Sequence, residues 1–254
     1  MKKFTINSKT GYLIGVVLFI GIWFLLSLVI DERRMIFPDP ISTIKQTITI
    51  LSSSYVYKCM WKSISKLLIG FFISFLLALF FGVIGGNSST LKKVFYPTIS
   101  ALKSIPTASL VFLFLVLVGA KNAPILMVIL ISFPILYEAV VGGIENMDQD
   151  VVNAMKLDSG NKLRNVIFVQ IPLMFPYLLV GLASSFSLSF KIEIMAEILT
   201  GDTRGGLGSA ILAAQKNDPT NMIPIFSYSL IAILLALLIT IIFKILKKKL
   251  IKKI

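Results

Sequence analysis

The chain has 254 residues, of which 56% are hydrophobic and only 15% are charged, and its mean hydropathy is +0.90. Soluble domains carry about a quarter charged residues, so this composition excludes an ordinary water-soluble fold and makes lipid the natural solvent. The net charge of +13 does not indicate a nucleic-acid partner, because the lysines form short clusters beside apolar runs, where anionic membrane lipid attracts them.

Six apolar stretches approach the roughly 20 residues that a helix needs to cross a bilayer core. In chain order they cover residues 11–30, 67–86, 104–120, 122–137, about 166–190 and about 222–243. Lys121, with Gly119 and Pro124 beside it, separates the third from the fourth. The first stretch is longer than the core of a signal peptide and no clear cleavage site follows it, so a retained span is favoured over a cleaved signal. The sequence predicts an all-α, polytopic membrane protein with six transmembrane helices.

Lys and Arg residues are unevenly distributed between the predicted loops. They are more numerous in the segments that share a side with the two termini, so the positive-inside rule predicts that both termini are cytoplasmic. Residues 31–62 then form an outer segment. Pro38 and Pro40 signal a turn there, and Ile41, Ile44 and Ile48 follow at helical spacing, which predicts a short helix.

The residues that enzymes most often use for catalysis or metal binding are scarce in this sequence. Cys59 is the single cysteine and there is no histidine, so the commonest metal ligand and the commonest general base are missing. The glycine-rich string at 85–90 lacks the lysine of a phosphate-binding loop. We expect no enzymatic activity, no metal and no cofactor. The serines near the fifth span favour helix packing or a pore wall over catalysis; they are Ser184, Ser185, Ser187 and Ser189.

Charged residues in the fifth span are the sharpest local feature. Glu193 and Glu197 are four residues apart and share a helix face, whereas Lys191 is two residues from Glu193 and does not. An ionisable residue in a span usually faces a cavity or a partner. Two interpretations stay open: these residues pair with outer loops at the membrane boundary, or they line the outer mouth of a transport pathway.

The mixed-charge segment before the fifth span carries a family resemblance. Residues 148–160, followed by Val169-Gln170-Ile171-Pro172, resemble the EAA loop of ABC importer permeases, whose pattern is Glu-Ala-Ala, three residues, Gly, nine residues and Ile-x-Leu-Pro. The pattern is imperfect, because the first position lacks the charge and the glycine is lost or displaced by one residue. The aligned positions are Asn153, Ala154, Met155, Ser159 or Gly160, Val169, Ile171 and Pro172.

Four further segments support the same family. They resemble its Pro-x-Pro motif after the first span, its Ser-Leu-x-Arg-x-x-x-Gly-Phe motif, the stretch that enters its third span, and its Ala-Glu and Gly-Leu-Gly motifs after the fifth span. The corresponding residues here are 37–40, 63–71 (with Lys66 in place of Arg), 96–108, and 196–208. The branch indicated is the one that serves nitrate, taurine, alkanesulfonates and thiamine precursors. The glycines of residues 205–208 favour a tight outer turn over a ligand site.

This resemblance implies a type I ABC importer permease: one transmembrane domain over residues 1–254, with a cytoplasmic coupling loop at 142–172. In the family that loop forms a short helix seated in a cleft of the ATPase. The implied partners are cytoplasmic ABC ATPase subunits, an extracytoplasmic substrate-binding protein and a second copy of the chain. The implied location is the bacterial plasma membrane. The alternatives are a self-sufficient secondary transporter or channel, for which no inverted repeat is evident, and an intramembrane enzyme.

Overall fold

The computed structural model describes residues 8–30, 36–157, 162–202 and 205–251. These residues form α-helices and one π-helical turn, without a strand among them, which confirms the all-α prediction. In chain order the elements are α1 (Ser8–Ile30), α2 (Pro40–Leu51), α3 (Ser54–Asn87), α4 (Ser89–Ser104), α5 (Thr107–Glu145), α6 (Gln149–Leu157), α7 (Lys162–Asn165), the π-turn (Val166–Gln170), α8 (Ile171–Thr200), α9 (Leu207–Asn217) and α10 (Ile223–Ile251).

The chain divides into two compact units. One contains Met1–Lys58 and Ala210–Ile233, and the other contains Cys59–Ser209 and Leu234–Ile254. The first unit joins α1, α2 and the start of α10. There Trp23 Nε1 donates to the Pro38 carbonyl at 2.9 Å, and Ser227 Oγ donates to the Thr43 carbonyl at 3.1 Å. The predicted short helix is confirmed as α2, which begins where Asp39 Oδ1 accepts from the Ser42 amide at 2.8 Å.

Helix α5 reverses direction in its middle. Gly119 has a φ of 76° and a ψ of 168°, a conformation that a residue with a Cβ rarely adopts. Leu110 and Val111, before the glycine, pack in one buried cluster with Met127, after it. In a straight helix Leu110 and Met127 would be about 25 Å apart. The element is therefore a helical hairpin with two antiparallel limbs.

The two limbs correspond to the predicted third and fourth spans. Five helices in the described part of the chain are long and apolar enough to cross a membrane. Because one of them, α5, is a hairpin of two limbs, the chain makes six passes, as predicted. The first limb, at about 18 Å, is too short to cross the core of about 30 Å alone. Helix α4 extends it: Lys92 pairs with Glu145 at 2.6 Å and Lys103 with Glu138 at 2.8 Å. Helix α4 therefore lies beside the second limb of α5 and lengthens the short first limb.

Helix α8 packs most extensively against α5. A buried cluster joins the end of α5 to the start of α8 and contains Val140, Ile144, Met147, Met174 and Leu178. Nearer the middle of the two helices, the hydroxyls of Ser132 and Ser189 are 2.6 Å apart. Ser185 donates to the Gly181 carbonyl at 2.7 Å and is fully buried. Ser185 and Ser189, both fully buried, therefore pack within the protein where α8 meets α5.

Candidate functional site

Two polar clusters occupy the two ends of the larger unit. We call one the Gly201 end, where α8 finishes and α9 begins, and the other the α6 end, where α3 and α5 finish and α8 begins. The chain passes between them along α8, whose 30 residues span about 45 Å. One continuous helix therefore connects the two ends.

At the Gly201 end, Lys66 of α3 connects two acidic residues. Its Nζ donates to Glu197 Oε1 at 2.8 Å and to Asp202 Oδ2 at 3.0 Å. Ser63, one turn earlier on the same face, donates to Glu197 Oε2 at 2.8 Å and accepts from the Leu207 amide at 2.9 Å. One carboxylate therefore joins α3, α8 and the start of α9.

The glycines of this segment are required by close approach to Glu197. The Gly208 amide donates to Glu197 Oε2 at 2.9 Å, at the N-terminus of α9, where the helix dipole favours a negative charge. A Cβ on Gly206 would overlap the Glu197 carboxylate, and one on Gly208 would overlap the Ile194 carbonyl. This agrees with a structural role for the Gly-Leu-Gly motif.

The ion pair is almost entirely removed from solvent. The Lys66 side chain is 13% exposed, that of Glu197 is fully buried, and that of Asp202 is 2% exposed. Charged groups in such a site are stable only with excellent geometry and additional hydrogen bonds, and removing the lysine leaves uncompensated buried charge. The donors from Ser63 and Gly208 supply those hydrogen bonds.

Of the three charged residues predicted in the fifth span, the structure places Lys191 on a different face of α8 from Glu193 and Glu197. Glu193 and Glu197 lie on the buried face of α8, and neither oxygen of Glu193 receives a hydrogen bond from a described residue. Lys191 lies on the exposed face. That these residues line a pathway stays a prediction.

At the α6 end, the short helix α6 has two different faces. Val152 and Met155 pack against the cluster shared by α5 and α8, and Ile171 packs on the same cluster. Asn153 and Ala154 are exposed, and Leu157 is 86% exposed. One face of α6 is thus held by the hydrophobic core of the bundle, while the other offers an apolar residue to its surroundings.

The remaining predicted coupling residues lie around the start of α8. Val169 is in the π-turn, and Ile171 and Pro172 are the first two residues of α8, which continues the π-turn without a break because the Ile171 N–H donates to the Val166 carbonyl. Ser159 and Gly160 lie outside the described residues. The short helix α6 and the long helix that contains Pro172 follow each other in the predicted order.

Gln170 is a residue of this end that sequence reasoning did not single out. It is 6% exposed and exchanges two hydrogen bonds with Asn87, the last residue of α3. The signal was a polar amide directly before Ile171-Pro172, but nothing local pointed to Asn87. Asp202 at the other end was missed for the same reason, since its partner Lys66 is 136 positions away.

The larger unit is therefore a helical bundle of membrane-spanning character, with a short half-exposed helix at one end and a buried ion pair at the other. A family model described as "Binding-protein-dependent transport system inner membrane component" matches residues 74–254, and the chain belongs to this family. It is therefore a multi-pass inner-membrane component of an ABC importer.

Similar proteins agree with this assignment. The nitrate import permease protein NrtB of Synechococcus elongatus is 24% identical over 213 residues, covering 78% of this chain and 73% of the relative. The taurine transport system permease protein TauC of Escherichia coli is 22% identical over 208 residues, covering 79% and 75%. A solved chain of the MetNI methionine ABC transporter in an inward-facing conformation has a TM-score of 0.67 at 16% identity, covering 77% and 96%, which confirms the type I permease fold. The family and branch indicated by the sequence motifs are confirmed.

Proposed function

We propose that this chain forms, with a second copy of itself, the translocation pathway of an importer for a small anionic solute of the sulfonate or nitrate kind, driven by separate ATPase subunits. A substrate-binding protein delivers the solute on the outer side, and both termini lie in the cytoplasm. Support for the solute class comes from the names of the similar permeases, which import nitrate and taurine.

The observation that carries the proposal is the two-faced helix α6. Its inward residues Val152 and Met155 contact the cluster that fixes α5 to α8, so a push on α6 reaches both long helices. Its outward residues Asn153, Ala154 and Leu157 are available to a partner. Burying a leucine side chain contributes about 1.5–3 kcal/mol, so Leu157 can anchor the ATPase contact.

The remaining residues of the predicted coupling segment complete this proposed lever. Ser159 and Gly160 would continue the ATPase contact beyond α6. Val169, Ile171 and Pro172 would fix the start of α8, so that closure of the ATPase dimer changes the tilt of α8 and opens the pathway alternately to each side. We propose that residues 142–172 act as one coupling segment within a single permease domain.

For the charged residues of α8 we propose two roles. Lys191, exposed on the helix, would line the outer mouth of the pathway. Glu193 and Glu197 would act from within the protomer wall, where Glu197 fixes α3, α8 and the start of α9 relative to each other. The mouth would then move as one body when α8 tilts.

The test is disruption of the outward face of α6. Leu157→Asp and Ala154→Arg should each abolish co-purification of an ATPase from native membranes and reduce ATP-driven uptake of radiolabelled taurine or nitrate by at least tenfold. Ala213→Arg, a change of the same kind at an exposed position of α9, should leave both unchanged. Unaltered uptake in the α6 variants, or uptake by the chain alone in liposomes without nucleotide, would refute the proposal in favour of a secondary transporter.

A further inference from the structure

An exposed ion pair lies on the membrane-crossing part of the α4–α5 segment. Lys103 Nζ donates to both carboxylate oxygens of Glu138, at 2.8 Å and 2.9 Å. The two side chains are 47% and 51% exposed. They line a polar notch of about 220 Å³ with Tyr96, Ser100 and Ser104.

The pair is well removed from the α6 end of the helices. Lys92 and Glu145 form the pair nearest that end, where α4 begins and α5 finishes. Glu138 is seven residues before Glu145, and Lys103 is eleven after Lys92, which correspond to about 10 Å and about 16 Å along the two helices. Glu138 lies inside the apolar candidate span Thr107–Glu145, so hydrocarbon is the alternative surrounding for its exposed side chain at this depth.

Hydrocarbon is an unfavourable environment for these charged side chains. Charged residues at this depth face a water-filled cavity or a protein partner, because exposing them to hydrocarbon costs several kcal/mol. The serines beside them extend the same polar surface: Ser104 lies one turn after Ser100 and donates to its carbonyl at 2.9 Å. The neighbouring exposed surface of α5 is different, with Phe112 and Leu113 at positions suited to lipid.

We propose that the notch around Lys103 and Glu138 is a solute subsite in the wall of the water-filled pathway, and that it receives the acidic group of a small anionic solute. This rests on the function proposed above. A lysine ammonium has three N–H donors, so Lys103 can serve both oxygens of Glu138 and still donate to an oxyanion, with the hydroxyl of Ser100 in the same notch. Glu138 offsets most of the charge of Lys103 and keeps the affinity for the anion low, as release from a transport pathway requires.

Thiol labelling of the complete complex in proteoliposomes tests the subsite without knowledge of the transported solute. Replacing the buried Cys59 by Ala gives a cysteine-free chain, and Ser100→Cys or Ser104→Cys then reports on the notch. Phe112→Cys and Leu76→Cys, exposed on apolar helix surfaces, are the controls. The probes are two methanethiosulfonates of similar size, one carrying a sulfonate and one a trimethylammonium group, with rates normalised to a free thiol.

We expect the notch cysteines to react at least tenfold faster than the controls, and the sulfonate reagent to be preferred at least threefold at Ser104→Cys. Lys103→Gln should abolish this preference, Lys103→Arg should retain it, and Glu138→Gln should increase it. Labelling no faster than at Phe112→Cys, or a preference unaffected by Lys103→Gln, would overturn the subsite. Failure of the proposed function is separately visible, since the unsubstituted complex would then show no ATP-dependent uptake of radiolabelled taurine or nitrate.

Discussion

Asn87 and Gln170 are 83 positions apart, yet their side-chain amides exchange two hydrogen bonds: Asn87 Nδ2 donates to Gln170 Oε1 at 2.9 Å, and Gln170 Nε2 donates to Asn87 Oδ1 at 2.7 Å. The first residue ends α3 and the second directly precedes α8. The start of α8 is therefore tied to α3 next to the proposed coupling segment.

Gln170→Leu should weaken transmission between α6 and the bundle. It removes the two hydrogen bonds between the side chains, at about 0.5–1.5 kcal/mol each, while the exposed Asn87 amide keeps its bond to the Val83 carbonyl, so we expect a slightly lower thermal unfolding temperature and less uptake for each ATP hydrolysed. A double-mutant cycle with Asn87→Ala measures the coupling between the two amides. Strictly additive changes in the free energy of unfolding would show that the pair does not connect the helices.

Lys66→Met should destabilise the Gly201 end strongly. The buried carboxylate of Glu197 would lose its cation, and breaking a buried pair costs about 3–5 kcal/mol. Thermal unfolding of the purified complex in detergent measures the loss. Lys92→Met is the matched control, because the Lys92–Glu145 pair is largely exposed and such pairs contribute about 0–1 kcal/mol. Equal effects of the two changes would contradict the role assigned to Lys66.

Gly206→Ala should be poorly tolerated. The new Cβ would overlap the Glu197 carboxylate and displace it from Lys66 and Ser63, so we expect a destabilisation of about 1–3 kcal/mol and reduced uptake. Gly142→Ala, in α5, is the control, since a Cβ there meets no atom within 4 Å. The prediction fails if Gly206→Ala matches Gly142→Ala in both unfolding temperature and uptake.

Gly119→Ala should strain the tip of the α5 hairpin. The left-handed backbone at this position is costly for a residue with a Cβ, by about 1–3 kcal/mol, although space is available around it. Gly21→Ala in α1, where helix propensity favours alanine and no atom lies within 4 Å, should be neutral or mildly stabilising. Unfolding temperatures of the two variants decide the point: a neutral Gly119→Ala would mean that the hairpin does not depend on this conformation.

Hydropathy and short motifs carried much of the prediction because they are properties of neighbouring residues. Long apolar runs identify spans whatever their partners are, and the glycine of the α5 reversal was already visible beside Lys121. The limit of this reasoning appears at α4. Its charges and serines give no hydropathy signal, and its position beside the second limb of α5 is visible only in the tertiary structure.

The sequence by itself determined that this protein crosses the membrane, that it has six passes, and that a short helix precedes the span that contains Pro172, in the manner of importer permeases. Only the tertiary structure decided which charges meet: Lys66 with Glu197 in the buried network, and Lys103 with Glu138 on an exposed surface. The physical reason is that the partition of a helix into lipid depends on the residues of that helix, whereas the state of a single charge depends on the groups that a neighbouring helix brings within about 3 Å of it.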